Sequence, residues 1–427
     1  MKCPIPPGVF DIIPIDYEEK WKSSYLWTYV ENVIRQTARA YGYHEIRTPL
    51  FERTELFKRS VGDTSDIVSK EMYTFEDKGG RSLSLRPEGT APVMRAFIEH
   101  QLHQKTLIQK FFYIAPMFRY ERAQAGRYRQ HHQFGAEAIG NDSAEQDAEL
   151  IDMLYTLYRR LGLQNLTLYI NSIGDSATRQ AFRQSLIDYL TPLVGSLSPE
   201  SQTRLEVNPL RILDSKDPRD QQVVAKAPLI LDFLSQEAAS HFESLKKLLG
   251  ILNIPFKVNP LLVRGLDYYN KTVFEIVAGE LGAQNSIGGG GRYDGLLSSL
   301  GGPDLPSIGF GTGIERILQT MLNQHIQLPD QEHPELFLIA IGEKAKETCF
   351  KLLHDLRQEG VPSQMDFSSR KVTKLLQYAD QIGAAYVAVI GDVEMEKGEV
   401  ELKLMATGDK LRISISDVVK TLTQLKK

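Results

Sequence analysis

The chain has 427 residues, with 50 Lys or Arg against 54 Asp or Glu and a net charge of −4; this length points to two or three domains, and the balance excludes a generic polyanion binder. A hydrophobic fraction of 42% can fill sizeable cores, no apolar run reaches membrane-spanning length, and the start MKCPIPPGVFDIIP lacks the features of a signal peptide. Cys3 and Cys349 lie far apart without metal-ligand spacing, so neither a disulfide framework nor structural zinc is expected, and a reducing cytoplasm suits the count.

A Pro- and Gly-rich arm opens the chain. From Tyr17 to Tyr41, apolar residues (Trp21, Tyr25, Val30, Val33, Ile34, Ala38) recur at helical spacing; Gly42 closes that helix, and Tyr43–Leu50 reads as a strand. Glu55–Val61 reads as a short helix, and Lys70–Phe75 and Ser82–Arg86 as strands around the turn Lys78-Gly79-Gly80. Pro87-Glu88-Gly89-Thr90 leads into an amphipathic helix ending near His100, with Thr90 as a candidate cap.

Residues 110–140 are the part around which the rest is organised. Alternation puts Phe112, Ile114, Phe118 and Tyr120 on one face of a strand and Ala115, Met117 and Arg119 on the other. A basic loop with Arg122, Arg127 and Arg129 connects it to a returning strand, where Gln133, Gly135 and Glu137 share a face. Charge beside apolar strand residues would be costly to leave unpaired, so an anionic ligand on the Arg side is the economical explanation.

Next come a helix over Ser143–Gly162, a strand at Leu166–Ile170 and a mainly helical stretch from about Asp175 to Ile254. Lys257–Val263 and Thr272–Val277 read as strands flanking Arg264-Gly265-Leu266-Asp267-Tyr268-Tyr269. Two adjacent tyrosines are expected on opposite faces, and Gly265 allows a ligand to approach Arg264 closely. The run from Gly288 to Gly291 is not a P-loop, for no Gly-Lys-Ser/Thr follows, and it lacks the setting of a dinucleotide fingerprint. Ser307–Gly313 is a glycine-rich strand feeding a helix with Arg316. After a linker at Gln327–Pro334, strands alternate with helices (Leu336–Ile341, Ala345–Glu359, Pro362–Asp366, Val372–Ile382, Ala385–Ile390), then a charged hairpin at 394–407 and a helix from Ile415, which implies a small open α/β domain. Arg370, Lys371 and Lys374 read more simply as a solvated helix start than as an RNA contact.

Phe118-Arg119-Tyr120-Glu121 resembles motif 2 of the class II aminoacyl-tRNA synthetases, and its continuation RYRQHHQFGAE is similar to the histidyl version. Pro6, Gly8 and Asp11, LRPEGT, VRGLDYY and the motif 3 strand resemble the same family in the same order. The resemblance implies an α+β fold: a class II catalytic domain at 1–174 and 256–326, an antiparallel sheet flanked by helices. It also implies a helical insertion at 175–255 near the tRNA acceptor arm, an α/β anticodon-binding domain at 334–427, and a homodimer through motif 1, the long helix and the strand with Pro49 read above over residues 17–50. The implied reaction ligates L-histidine to tRNA(His) through an adenylate made from ATP, with Mg²⁺ carried by the nucleotide and no protein metal site. By resemblance, Arg119 and Arg264 hold the α-phosphate and substrate carboxylate. Glu88, Gly89 and Thr90 take the ammonium; Gln133, Glu137, Tyr268 and Tyr269 surround the imidazole; Glu121, Arg127 and Arg316 meet ATP. His131-His132 and Ala125 depart from the family's usual residues. The alternatives are a non-aminoacylating paralogue serving as regulatory subunit of ATP phosphoribosyltransferase, and a nucleotide- or RNA-binding module without catalysis.

Overall fold

The protein is represented by a computed structural model, which describes residues 3–425 apart from 63, 64, 66, 107, 122–126, 214, 265, 267, 280–285 and 369. Arg122, Ala125, Gly265 and Asp267, singled out above, lie outside the described residues. The chain forms two compact units, with the division between Pro329 and Asp330.

The strands of the first unit are β1 (His44–Glu45), β2 (Phe51–Arg53), β3 (Thr74–Glu76), β4 (Ser82–Leu85), β5 (Gln109–Phe118), β6 (Gln130–Ile139), β7 (Leu166–Ser172), β8 (Phe256–Val258), β9 (Asn270–Ala278), β10 (Ser286–Arg292) and β11 (Ser307–Gly313). Its helices are α1 (Ser24–Ala40), α2 (Thr54–Val61), α3 (Thr90–Glu99), α4 (Ala144–Arg160), α5 (Ser176–Leu190), α6 (Pro199–Val207), α7 (Pro218–Val224), α8 (Gln236–Ile251), α9 (Leu296–Ser299) and α10 (Ile314–Asn323). Eight strands form one sheet in the order β1-β5-β6-β11-β10-β9-β7-β8, antiparallel throughout its centre and parallel only at the two outer pairs; β2-β4-β3 form a small second sheet.

Both faces of the large sheet are covered, so Phe111, Phe112 and Tyr113 of β5 are buried in succession, and buried and half-buried residues alternate beyond them. On one face α1, α4, α8 and α10 pack Trp27, Ile34, Leu154, Leu157, Leu245 and Ile317 into the main core. The other face carries a second cluster around Phe97, Tyr113, Met117, Tyr269 and Tyr293, which borders the cavity described below. Helix α4 starts cleanly because Ser143 accepts from the N–H of Gln146, with Glu145 and Asp147 in its first turn and Arg159 and Arg160 in its last, each favourable to the helix dipole.

Several expectations change. Residues 67–71 form a π-type turn, and the strand expected at Lys70–Phe75 begins only at Thr74. The strand expected at Lys257–Val263 stops at Val258, where the chain turns through Pro260. Within the helical stretch, residues from Phe182 to Ile230 have a small core of their own, whereas α8 buries Phe242, Leu245 and Leu249 in the main core.

The second unit contains β12 (Leu336–Ala340), α11 (Glu343–Gln358), β13 (Ser363–Met365), α12 (Val372–Gln381), β14 (Tyr386–Ile390), α13 (Asp392–Lys397), β15 (Glu399–Leu404), β16 (Lys410–Ser414) and α14 (Val418–Leu425). Its sheet runs β13-β12-β14-β15-β16, parallel through the first three and antiparallel at the last two, with apolar clusters on both faces. The charged hairpin lies at β15–β16, later than expected, because 392–397 winds into a helix. Arg370 is exposed and lies 3.6 Å from Asp366, as a solvated helix start would be.

Candidate active site

The centre of the large sheet lacks side chains where a ligand would lie. Register places Tyr113, Gly135, Gly311, Gly289 and Glu275 in one cross-strand row, and Phe111, Glu137, Gly309, Gly291 and Val273 in a neighbouring row on the same face. A Cβ at Gly289 would stand 2.6 Å from the Phe274 carbonyl and 2.8 Å from Arg264 Nη1, so only glycine lets the guanidinium rest on the strand. Over this floor lies a cavity of about 290 Å³. Arg119, Arg264, Glu88, Thr90, Gln133, Tyr268, Tyr269, Glu121, Arg127 and Arg316 all border it. Gly89 and Glu137 do not reach its surface.

At one end the groups are acidic and phenolic. Glu88 accepts from the N–H groups of Thr90 (2.6 Å) and Ala91 (2.9 Å), so Glu88 rather than Thr90 caps α3, at the end where the helix dipole favours an anion. Burial pushes its carboxyl above the usual range, an effect opposed by those two N–H groups and by Arg119. Glu137 is fully buried. Its Oε1 accepts from the Thr90 hydroxyl at 2.9 Å and lies 3.3 Å from the Tyr113 hydroxyl, while Oε2 is held by Tyr293. These three hydroxyls draw the carboxyl inward, which is why Glu137 sits beneath the cavity wall instead of lining it. Gly309, its cross-strand partner, borders the cavity, and a Cβ there would strike Glu137 Oε2. Gly89 and Gly135 are likewise filled over by the Tyr113 ring, and Gln133 Nε2 donates to the Tyr113 hydroxyl at 3.3 Å. Tyr268 and Tyr269 do not point to opposite faces. They lie in a turn, where period two does not apply, with rings 4.7 Å apart, and both approach Tyr293.

The other end is cationic. Arg119 donates from Nε to the Pro87 carbonyl at 2.8 Å, fixing the plane of its guanidinium at the cavity edge. Arg264 Nη1 reaches Glu275 Oε1 at 3.3 Å, and its Nε is buried without a hydrogen-bond partner. Glu121 and Arg127, on either side of residues 122–126, form an ion pair at 3.2 Å. Arg316 donates to the Ser286 carbonyl, and burial together with Arg127 moves its pKa down. His131 stays neutral: burial first, then Arg119, His132 and Arg316, lower its pKa to about 3. The N-terminal arm clasps the returning stem of this loop. Arg129 N–H donates to the Gly8 carbonyl at 2.7 Å, and Phe10 packs edge-on against Tyr128 at 4.9 Å.

Tyr113, Tyr293, Glu275 and Glu315 belong to this environment and were not singled out from sequence; their signal, a phenol or acid next to strand glycines, is legible only once register is known. Glu315 accepts from the His132 N–H at 2.8 Å, and its Oε2 is buried without a hydrogen-bond partner. Below Tyr293, the fully buried Arg292 donates to Asp147 (2.7 Å), Asp294 (2.9 Å) and the Asn141 carbonyl (2.8 Å), and Asp147 also meets His241 of α8 at 2.8 Å. This network ties α4 and α8 to the end of β10. Among the described residues, no group of three or more His, Cys, Asp or Glu could hold a metal ion.

The family described as Histidyl-tRNA synthetase matches residues 27–317, and the one described as Anticodon binding domain matches residues 335–425. A histidine-tRNA ligase of Protochlamydia amoebophila (strain UWE25) is 71% identical over 422 residues, 99% of this chain and all of the relative. One from Geobacillus sp. (strain WCH70) is 49% identical over 98% of each chain. The crystal structure of apo S. aureus histidyl-tRNA synthetase superposes with a TM-score of 0.83 at 37% identity, covering 99% of this chain and 100% of that one. The chain belongs to the histidyl-tRNA synthetase family.

Proposed function

We infer that the chain ligates L-histidine to tRNA(His) in two steps. A carboxylate oxygen of histidine attacks the α-phosphorus of ATP, the bond to pyrophosphate breaks, and a terminal ribose hydroxyl of the tRNA then displaces AMP. The observation that carries this reading is that Arg119 and Arg264, from distant parts of the chain, border one cavity whose opposite end is acidic and phenolic. Two guanidiniums suit the first step, because charge gathers at the α-phosphate and their fork geometry matches oxyanions. Pro87 and Glu275 hold these guanidiniums in place before substrate arrives, and such preorganisation lowers the barrier. Glu88 and Thr90 take the substrate ammonium. Gln133, Glu137, Tyr268 and Tyr269 pair the imidazole, while Glu121, Arg127 and Arg316 meet ATP. Full-length likeness to the ligases does not favour the regulatory-subunit alternative.

A magnesium ion carried by ATP fits these residues, because phosphates and water supply most of its ligands and only one or two carboxylates are needed. Glu121 and Glu315 border the cavity and would hold it; Glu315 Oε2 is buried without a partner. The ion would neutralise phosphate charge. No helix among the described residues is long and apolar enough to cross a membrane, and a cytoplasmic enzyme is proposed. The exposed Leu50, Phe51 and Phe75, after the motif 1 strand, suit contact with a second copy of the chain. We assign residues 175–255 to the acceptor arm and 334–427 to the anticodon. In the C-terminal unit a cavity of about 240 Å³ has an apolar floor and a rim of mixed charge, where Lys397 and Lys403 stand beside Glu394 and Glu399 and where Lys410 and Arg412 pair with Glu401; its apolar floor suits an unstacked base. Pyrophosphate exchange measured with each amino acid in turn tests the reading. Exchange with histidine alone is expected, and tRNA or ATP binding without it would overturn the assignment.

A further inference from the structure

The histidine end of the cavity holds two buried carboxyls, and they are not equivalent. Glu88 receives two backbone N–H groups at the start of α3 and faces Arg119, so the fold itself stabilises an anion there. Among the described residues none gives Glu137 an N–H. The groups that face it are hydroxyls from five elements and one like charge: Tyr43 before β1, Thr90 of α3, Tyr113 of β5, Tyr268 and Tyr269 before β9, Tyr293 after β10, and the Glu88 carboxyl. Among the described residues no Lys, Arg or His forms a hydrogen bond or ion pair with Glu137, and Arg264 pairs with Glu275 instead. A carboxyl buried among phenols beside a second acid, with no positive charge to pair, is in the situation that favours the neutral form.

We propose that Glu137 meets the substrate ring as a carboxylic acid, giving a hydrogen bond to the unprotonated ring nitrogen while a phenol oxygen accepts from the ring N–H, so that the pocket selects the neutral imidazole. This rests on the reading of the cavity given above and names the ionic form of its substrate. Thr90 donates to Oε1 in the free protein, and when that hydroxyl turns to the incoming ammonium Oε1 is released to meet the ring. Gly309, which borders the cavity, leaves room for the Glu137 carboxyl, because a Cβ there would strike Oε2. An aliphatic side chain offers no acceptor for such a donor, and a second cation cannot bind a neutral acid as it would a carboxylate. A buried acid kept neutral so that it can donate is a known device of enzyme sites.

Burial, opposed by the hydroxyls and reinforced by Glu88, raises the Glu137 pKa to about 8, which fixes the expected pH profile. Free histidine gains a ring proton below about 6.5, so its KM is lowest between that pH and about 8 and rises about tenfold per unit on either side. Glu137→Gln keeps a donor without a titrating proton. It should raise the histidine KM in pyrophosphate exchange by roughly tenfold less than Glu137→Ala does, because the truncation leaves the ring nitrogen unpaired, and it should lose the alkaline limb. Infrared difference spectra of the full-length protein at neutral pH, wild type minus Glu137→Gln, should contain a carboxylic-acid carbonyl band. That band should fade in the wild type as pH rises through the alkaline limb, a readout independent of turnover. A carboxylate band in its place, or Glu137→Gln as impaired as Glu137→Ala, would overturn the proposal while leaving the cavity assignment standing. An unchanged histidine KM in Glu137→Ala would overturn the cavity assignment itself.

Discussion

The two ends of the cavity are built on opposite rules. At the cationic end the guanidiniums are half-open to solvent, steered by single acceptors (a carbonyl for Arg119, a carboxylate for Arg264), and keep donors to spare for a ligand. At the acidic end nearly every polar atom already has a partner: Glu88 is bound to backbone, and Glu137 to three hydroxyls. A strongly charged, mobile triphosphate is best met by partly hydrated donors that tighten on arrival. A small ring differing from its competitors by two nitrogens needs groups that are costly to leave unsatisfied. On the proposed reading, rate would reside mainly at one end and discrimination at the other.

Mutations can break that contrast. Arg264→Ala should have the largest effect, lowering kcat for histidine-dependent exchange by roughly 10²–10³, the usual cost of removing one preorganised charge-stabilising donor. A rise confined to KM would instead assign Arg264 to uniform binding. Gly311→Ala puts a methyl group where the Gln133 amide now lies and raises the floor beneath both ends. KM for ATP and for histidine should both rise, by roughly tenfold or more, since small misplacements carry large penalties. A change in one substrate alone would show that the floor is not shared.

Varying pH sharpens the contrast without mutation. His131 titrates only near 3, so the KM for ATP should be flat from weakly acid to weakly alkaline conditions, whereas that for histidine should climb above about 8. Parallel profiles would mean that the ends titrate together. The smallest change is Tyr293→Phe. The Tyr293 hydroxyl lowers the Glu137 pKa, so its removal should move the alkaline limb upward and alter KM only a few-fold, the scale of one hydrogen bond. Linkage gives an independent check. Because the folded pKa of Glu137 lies above its unfolded value, its contribution to stability is complete below about 4.5 and is lost as pH rises through about 8. Denaturant unfolding of Glu137→Gln should therefore show less loss of stability over that range than the wild type.

Much of this was legible in the sequence because strand alternation and glycine spacing are local. Period two placed Gln133, Gly135 and Glu137 on one face, and the register of β6 against β11 sets them opposite Gly313, Gly311 and Gly309. What stayed hidden depends on long-range register or on backbone that is not regular. Tyr113 and Glu275 become the two ends of one floor row only through pairings that span five strands. The tyrosines at 268 and 269 defeated the alternation rule because they sit in a turn. Glu88 as the cap of α3 could not be told from Thr90, since either side chain reaches the first-turn N–H groups. Burial of Glu137 behind Thr90 and Tyr293 is a packing outcome that no spacing encodes.

The clasp between the beginning of the chain and the loop stem carries a practical consequence. Gly8 has φ of +82°, and its carbonyl receives the Arg129 N–H, while Arg129 lies over the Tyr120 ring at 4.0 Å. A purification tag fused ahead of this arm, or a deletion reaching Phe10, would be transmitted to Arg119, which is bonded to Arg129 through its own N–H. Handles for immobilisation or labelling belong elsewhere on the surface.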